Sequence, residues 1–159
     1  MPNITVISVG KIKEKFIKDA LCEYEKRLSR FVKFKSVEIP DRPIPDNASL
    51  SEEAQVLEKE GADILSKVSK GDYVIALCIE GKKLSSVDFS KKLSTAFMST
   101  SSVTFIIGGS LGLSDSVKQR ADFKMSMSDM TFPHNLARLM LTEQTYRAFK
   151  INANESYHK

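Results

Sequence analysis

Two stretches of this chain run apolar with almost no relief: Tyr73-Val74-Ile75-Ala76-Leu77-Cys78-Ile79, and Val103 to Ile107 with only Thr104 breaking the run. A strand with one face in water alternates polar and apolar residues, because successive side chains point to opposite sides. A run that does not alternate belongs to a strand covered on both faces, as inside a parallel sheet flanked by helices.

The rest of the chain supplies what such a sheet needs. Ile4 to Val9 reads as a strand closed by Gly10, and Phe34 to Ile39 as another. Between them Phe16, Ile17, Ala20, Leu21, Tyr24, Leu28 and Phe31 recur at spacings of three and four, a helical stripe facing a core with lysines outside. Residues 40–46 hold three of the five prolines and form a surface loop. Ser49 and Glu52 have capping-box spacing and open a helix bearing Ala54, Leu57, Gly61, Ile64, Leu65 and Val68, expected to stop at Gly71. Ser85 or Ser86 caps a helix with Phe89, Leu93, Ala96 and Phe97 on one face. A short helix from about Ser114, a strand near 123–127, a loop over 128–133 and a long helix over about 135–151 complete the chain. The expected fold is α/β, a single domain over 1–159 with a mainly parallel sheet and helices on both faces.

Charge narrows the partners. Lys and Arg total 24 against 20 Asp and Glu, a net charge of +4, and the cations cluster as Lys11, Lys13, Lys15, Lys18 and then Lys26, Arg27, Arg30, Lys33, Lys35. An anionic partner such as RNA suits that distribution, although a solvated basic face would show it too. Cys22 and Cys78 are unpaired by spacing and are read as buried thiols. His134 and His158 are the only histidines, so no metal-ligand cluster is expected. With no run of 18 apolar residues and no leader pattern at Met1, a soluble, cytoplasmic protein without a membrane partner is expected.

In parallel sheets the ligand crevice lies beyond the carboxyl ends of the strands. Here that selects three loops: Glu80-Gly81-Lys82, Gly108-Gly109-Ser110-Leu111-Gly112, and Ser128 to Pro133. The glycine loop is neither a dinucleotide fingerprint nor a P-loop, and it suits a nucleotide-like ligand held by backbone groups or simply a tight turn. On the last helix His134 and Arg138 lie four apart, as do Glu143 and Arg147, and Glu143 on a packed face needs a partner such as Arg147. The terminal Tyr157-His158-Lys159 is unusual for an end that would ordinarily fray.

Taken together, Gly108-Gly109-Ser110-x-Gly112-Leu113, Thr131-Phe132-Pro133-His134, Glu143-Gln144-x-Tyr146-Arg147-Ala148 and the terminal Tyr157-His158-Lys159 resemble the ribosomal large-subunit methyltransferase H family of the SPOUT class. Val9-Gly10-Lys11 and Glu23-Tyr24 extend the likeness to the opening of the chain. The resemblance implies a carboxyl-terminal deep trefoil knot, an exception to unthreaded topology, and a homodimer. It also implies methylation of N3 of a pseudouridine in 23S ribosomal RNA on the assembled ribosome, with S-adenosylmethionine as donor. By the same resemblance Leu77, Gly108, Met127, Ser128, Asp129, Met130, Thr131 and Phe132 hold the cofactor.

Transfer of methyl to nitrogen is an in-line displacement that requires alignment and loss of the acceptor's proton. His158, Tyr157, an RNA group or solvent are the candidates to assist that loss, and Arg138 is cast as a phosphate-contacting or positioning group. Leu136, Leu139, Met140, Tyr146 and Phe149 offer more apolar surface than one stripe buries, as a dimer would need. A non-catalytic RNA-binding module leaves the glycine loop without a task, and a dinucleotide oxidoreductase lacks its fingerprint.

Overall fold

The computed structural model describes residues 1–159. Five strands, β1 (Asn3–Val9), β2 (Lys33–Ile39), β3 (Tyr73–Lys83), β4 (Ser102–Ile107) and β5 (Phe123–Ser126), form one sheet in the order β2-β1-β4-β3-β5. Every pairing is parallel. Five helices intervene: α1 (Lys15–Leu28), α2 (Leu50–Leu65), α3 (Ser86–Ser99), α4 (Asp115–Arg120) and α5 (His134–Asn152). The strand order is consistent with the carboxyl-terminal knot expected above.

The unbroken apolar runs follow from cores on both faces. From β4, Val103, Phe105 and Ile107 join Ile4, Val6 and Ile75 against Leu28 of α1, Leu93 of α3 and Leu141 of α5. Alternate residues Ile106, Val74, Ala76, Ile7 and Val9 pack the opposite way, against Ile64 of α2 and Val117 of α4. Thr104, the polar interruption in β4, is buried and donates its hydroxyl to Asp72 Oδ2 at 2.9 Å, so its burial leaves nothing unpaired.

Five expectations are corrected. Phe16 is 70% exposed and Cys22 is exposed, because the buried stripe of α1 is the narrow line Ile17, Leu21, Leu28, and a neighbour one residue away is turned about 100° from it. Cys78 is half-buried instead of sealed in the core. The helix α2 ends at Leu65, with Ser66 as its cap, although Val68 still packs beneath the sheet from the following turn. Tyr146, expected on a free apolar face, lies within the protomer core beside Tyr24 and Tyr157.

Candidate active site at the carboxyl ends of the strands

A cleft of about 620 Å³ opens where β3, β4 and β5 end, a size suited to a small-molecule ligand. Its first wall comes from an irregularity in β3. Leu77 and Lys82 both register opposite Met125 of β5, so residues 78–81 bulge out of the pairing and present Cys78, Ile79 and Glu80 to the cleft. Gly81 permits this: a Cβ there would meet the Met125 carbonyl carbon at 2.5 Å and its nitrogen at 2.6 Å.

The second wall is the loop after β4. Gly108 lies so close to Gly112 that a Cβ would stand 2.4 Å from the Gly112 carbonyl oxygen, and Gly112 turns the chain with φ of +80° while donating its N–H to Gly109 at 3.1 Å. Residues 126–133 form the third wall. There Ser126 Oγ donates to the Ser128 carbonyl at 3.1 Å and Ser128 Oγ accepts from Met130 N at 3.0 Å, a self-braced loop. His134 and Ala137 of α5 complete the floor.

Of the expected cofactor residues, Leu77, Gly108, Met127, Ser128, Met130, Thr131 and Phe132 line this cleft. Asp129 does not; its carboxylate turns outward to Lys83 Nζ at 2.6 Å and its side chain is 86% exposed. Sequence reasoning missed an ion pair in the wall, Lys118 Nζ to Glu80 Oε1 at 2.6 Å. The Lys118 hydrogen bond holds the Glu80 carboxyl below the usual carboxylate range and raises the Lys118 ammonium in turn. Burial pushes the Cys78 thiol up.

The other expected site residues stand elsewhere in the protomer. Arg138 is buried, its Nη1 3.3 Å from Glu38 Oε2 and its Nε without a partner, so within one chain it braces β2 against α5 and offers no surface to a phosphate. The tail folds back along α5. The Tyr157 hydroxyl donates to Glu143 Oε1 at 3.0 Å, its ring meets Tyr146 edge-on at 4.9 Å, and Arg147 lies over it at 4.8 Å. Burial, followed by the bond to Glu143, raises the phenol well above its ordinary value, so Tyr157 serves here as a donor. Glu143 finds the partner expected for it, Arg147 Nη2 at 2.6 Å.

Arg147 Nη1 also stands 3.1 Å from His158 Nδ1. Arginine only donates, so Nδ1 must accept, and a neutral His158 carries its proton on Nε2. Neither Tyr157 nor His158 touches the cleft of its own chain.

The family model described as "Predicted SPOUT methyltransferase" matches residues 2–158. The chain belongs to the SPOUT methyltransferase family. Among relatives of this SPOUT methyltransferase, ribosomal RNA large subunit methyltransferase H 1 of Clostridium perfringens is 56% identical over 158 residues, 99% of each chain. Ribosomal RNA large subunit methyltransferase H of Streptococcus thermophilus is 55% identical over 157 residues, 98% of this chain and 99% of the relative. A solved structure of a probable methylase family protein from Haemophilus influenzae Rd KW20 superposes with a TM-score of 0.56 over 98% of this chain and 70% of the other, at 10% identity, and speaks to the fold alone. As a methyltransferase the chain requires a methyl donor, and the cleft is the compartment with the size and position to take one.

Proposed function

We propose that this SPOUT methyltransferase transfers the methyl group of S-adenosylmethionine to N3 of a pseudouridine in 23S ribosomal RNA, on the assembled ribosome and as a homodimer. The observation that carries this reading is the full-length identity of 55–56% to enzymes named for methylating large-subunit ribosomal RNA. The cleft supports the choice of donor. Its lining pairs apolar side chains such as Leu77, Leu113 and Phe132 with the backbone of two braced loops, a setting that accepts a flat purine and binds its edge through main-chain groups. Bound there, the donor supplies an electrophilic methyl on a sulfonium.

The chain's own residues would orient and exclude water. Leu77, Gly108 and the loop over Met127, Ser128, Met130, Thr131 and Phe132 hold the donor, while Asp129 fixes that loop from outside through Lys83. Arg138 acts as a positioning group, keeping the first turns of α5 fixed to β2. The imide N3 must lose its proton, to solvent or an RNA group, before it attacks, and the oxygens beside it gain negative charge as it does. Held with its proton on Nε2, His158 is suited to donate a hydrogen bond to such an oxygen.

Tyr157 and His158 would act in the partner's cleft. His158 lies beside Arg147, thirteen residues along α5 from the cleft residue His134, which at 1.5 Å per residue is about 20 Å. Antiparallel pairing of two α5 helices carries the tail of one chain toward the cleft of the other, and Leu136 and Met140, each 37% exposed, supply apolar surface for it. No helix is long and apolar enough to cross a membrane, and the proposed ribosomal substrate places the enzyme in the cytoplasm.

The test is transfer of labelled methyl from S-adenosylmethionine to ribosomes, free subunits and naked ribosomal RNA from a strain lacking the enzyme. Label confined to one pseudouridine of 23S RNA in ribosomes is expected. Label in no RNA, or on another base, rejects the reading.

A further inference from the structure

Phe16 is 70% exposed at the start of α1, next to Lys11, Lys13, Lys15 and Lys18, all exposed. A lone exposed aromatic needs no explanation. This one is held at a particular place. The segment before it alternates between residues fixed to the protein and residues directed outward. Ile12 is buried and its N–H donates to Glu38 Oε2 at 3.1 Å, the same oxygen that Arg138 of α5 approaches. Glu14 Oε2 accepts from Asn135 Nδ2 of α5 at 3.0 Å. Gly10, with φ of +97°, passes so near the cleft residue His134 that a Cβ would lie 3.2 Å from its Nε2. Two hydrogen bonds and this close approach thus hold residues 10–14 between β2 and the first turn of α5, where the cleft has its floor, and leave Lys11, Lys13 and Phe16 exposed.

We propose that Phe16 is a stacking platform for an unpaired base of the RNA substrate, with Lys11 and Lys13 neutralising the adjoining phosphates. The inference rests on the RNA-methylating reading above and names the surface by which that substrate is held. Charge complementarity selects the partner. Over residues 11–18 four lysines oppose one carboxylate, Glu14, which is already engaged with Asn135. The next carboxylate, Asp19, is paired with Lys15 at 2.7 Å. An aromatic ring beside free ammonium groups matches the stacked base and flanking phosphates of single-stranded RNA.

The chain contains no tryptophan, so Phe16→Trp places a single indole on the platform. Its fluorescence should be quenched by a hairpin RNA with an unpaired loop and little by a fully paired duplex of the same length. Phe16→Ala should raise the KM for ribosomes at least about fivefold, the lower end of what base stacking contributes. Its calorimetric affinity for S-adenosylmethionine and its sedimentation mass should stay those of the wild type. Replacing Lys11 and Lys13 by Met should reduce the slope of log affinity against log salt by about 1.4, as two lost single-strand phosphate contacts require. A wild-type KM for Phe16→Ala overturns the platform, as does equal quenching by the duplex. A changed sedimentation mass reassigns Phe16 to a subunit contact and overturns it as well. Should the wild type itself methylate no RNA, the underlying reading fails instead, and the two failures are told apart.

Discussion

The chemistry of individual side chains here depends on which neighbour the fold brings to them, and the two cysteines show it. Cys22 is exposed on α1, while Cys78 lines the cleft with its thiol pushed up by burial. A thiol reagent at neutral pH should therefore modify Cys22 rapidly and Cys78 slowly, and S-adenosylmethionine should protect Cys78 alone; mass spectrometry of time points reads both rates. Equal protection of Cys22 would move the donor site. Tyr157 gives a second case. A group with a raised folded value adds stability that is complete below its ordinary value, near 10 for a phenol, and lost as pH climbs through the raised one. The tail anchor is thus intact across neutral pH and weakens only in strong alkali. Burial also raises Tyr73, so Tyr73 and Tyr157 should both ionise late in an ultraviolet titration, and Tyr157→Phe should remove one late group. An unchanged late fraction would mean that Tyr157 is not held by Glu143. At this scale the sequence was legible where spacing is local, as in Glu143 and Arg147 one helical turn apart. It was silent on Lys118 and Glu80, which meet across 38 positions from a short helix and a bulge, with no periodicity to announce them.

The elements were the most legible level, because hydrophobic period and caps are local properties. The uninterrupted runs at 73–79 and 103–107 gave a parallel, doubly covered sheet, and the capping box at Ser49 and Glu52 is present, with Ser49 Oγ accepting from Glu52 N at 3.1 Å. The end of α2 was misplaced because apolar spacing continues to Val68 after the helical hydrogen bonds have stopped. The β3 bulge was invisible for a different reason: register is a relation between strands, and Gly81 alone could equally have closed a turn. Its role can be tested by Gly81→Ala. The added methyl has only the Met125 and Lys124 backbone to meet, below 3 Å, so β3 and β5 must separate or the bulge must shift. We expect a loss of about 2–4 kcal/mol in urea unfolding, in the range of strongly disruptive core changes. If the protein stays folded, affinity for S-adenosylmethionine should fall with it. By contrast Gly71→Ala, with nothing within 4 Å of the added atom, should leave both unchanged. Wild-type stability of Gly81→Ala would show that the bulge is soft and that the first wall of the cleft is not set by this glycine.

At the scale of the whole molecule the cleft and the tail proposed to complete it do not meet within one chain. The cleft lies at the start of α5, and the tail that carries Tyr157 and His158 is tied to Glu143 and Arg147 farther along it, about 14 and 20 Å from His134 at the rise of a helix. Sequence motifs pointed to both the cleft loops and the tail but had no means of saying that they are far apart in one chain, since that distance is set by how the tail folds back. Two chains related by a twofold axis would solve the problem under the proposed function, each supplying its tail to the other's cleft. The prediction is a complementation. One variant lacks Tyr157 to Lys159 and keeps its cleft; the other, Gly108→Val, keeps its tail but forces the loop at Gly108 against the Gly112 carbonyl. Each alone should be inactive on ribosomes, and the truncation should still bind S-adenosylmethionine, because the tail is assigned to the acceptor and not to the donor. In a heterodimer with crossed tails, one cleft has both defects and the other has none. Refolding an equal mixture, in which half the dimers are mixed, should then restore about a quarter of wild-type activity. If each cleft used its own tail, every cleft would carry one defect and no activity would return. Sedimentation of both variants as dimers before mixing, with native circular dichroism, ensures that a silent mixture reports on the site and not on failed assembly, and a monomeric wild type that still methylates would reject the crossed arrangement outright.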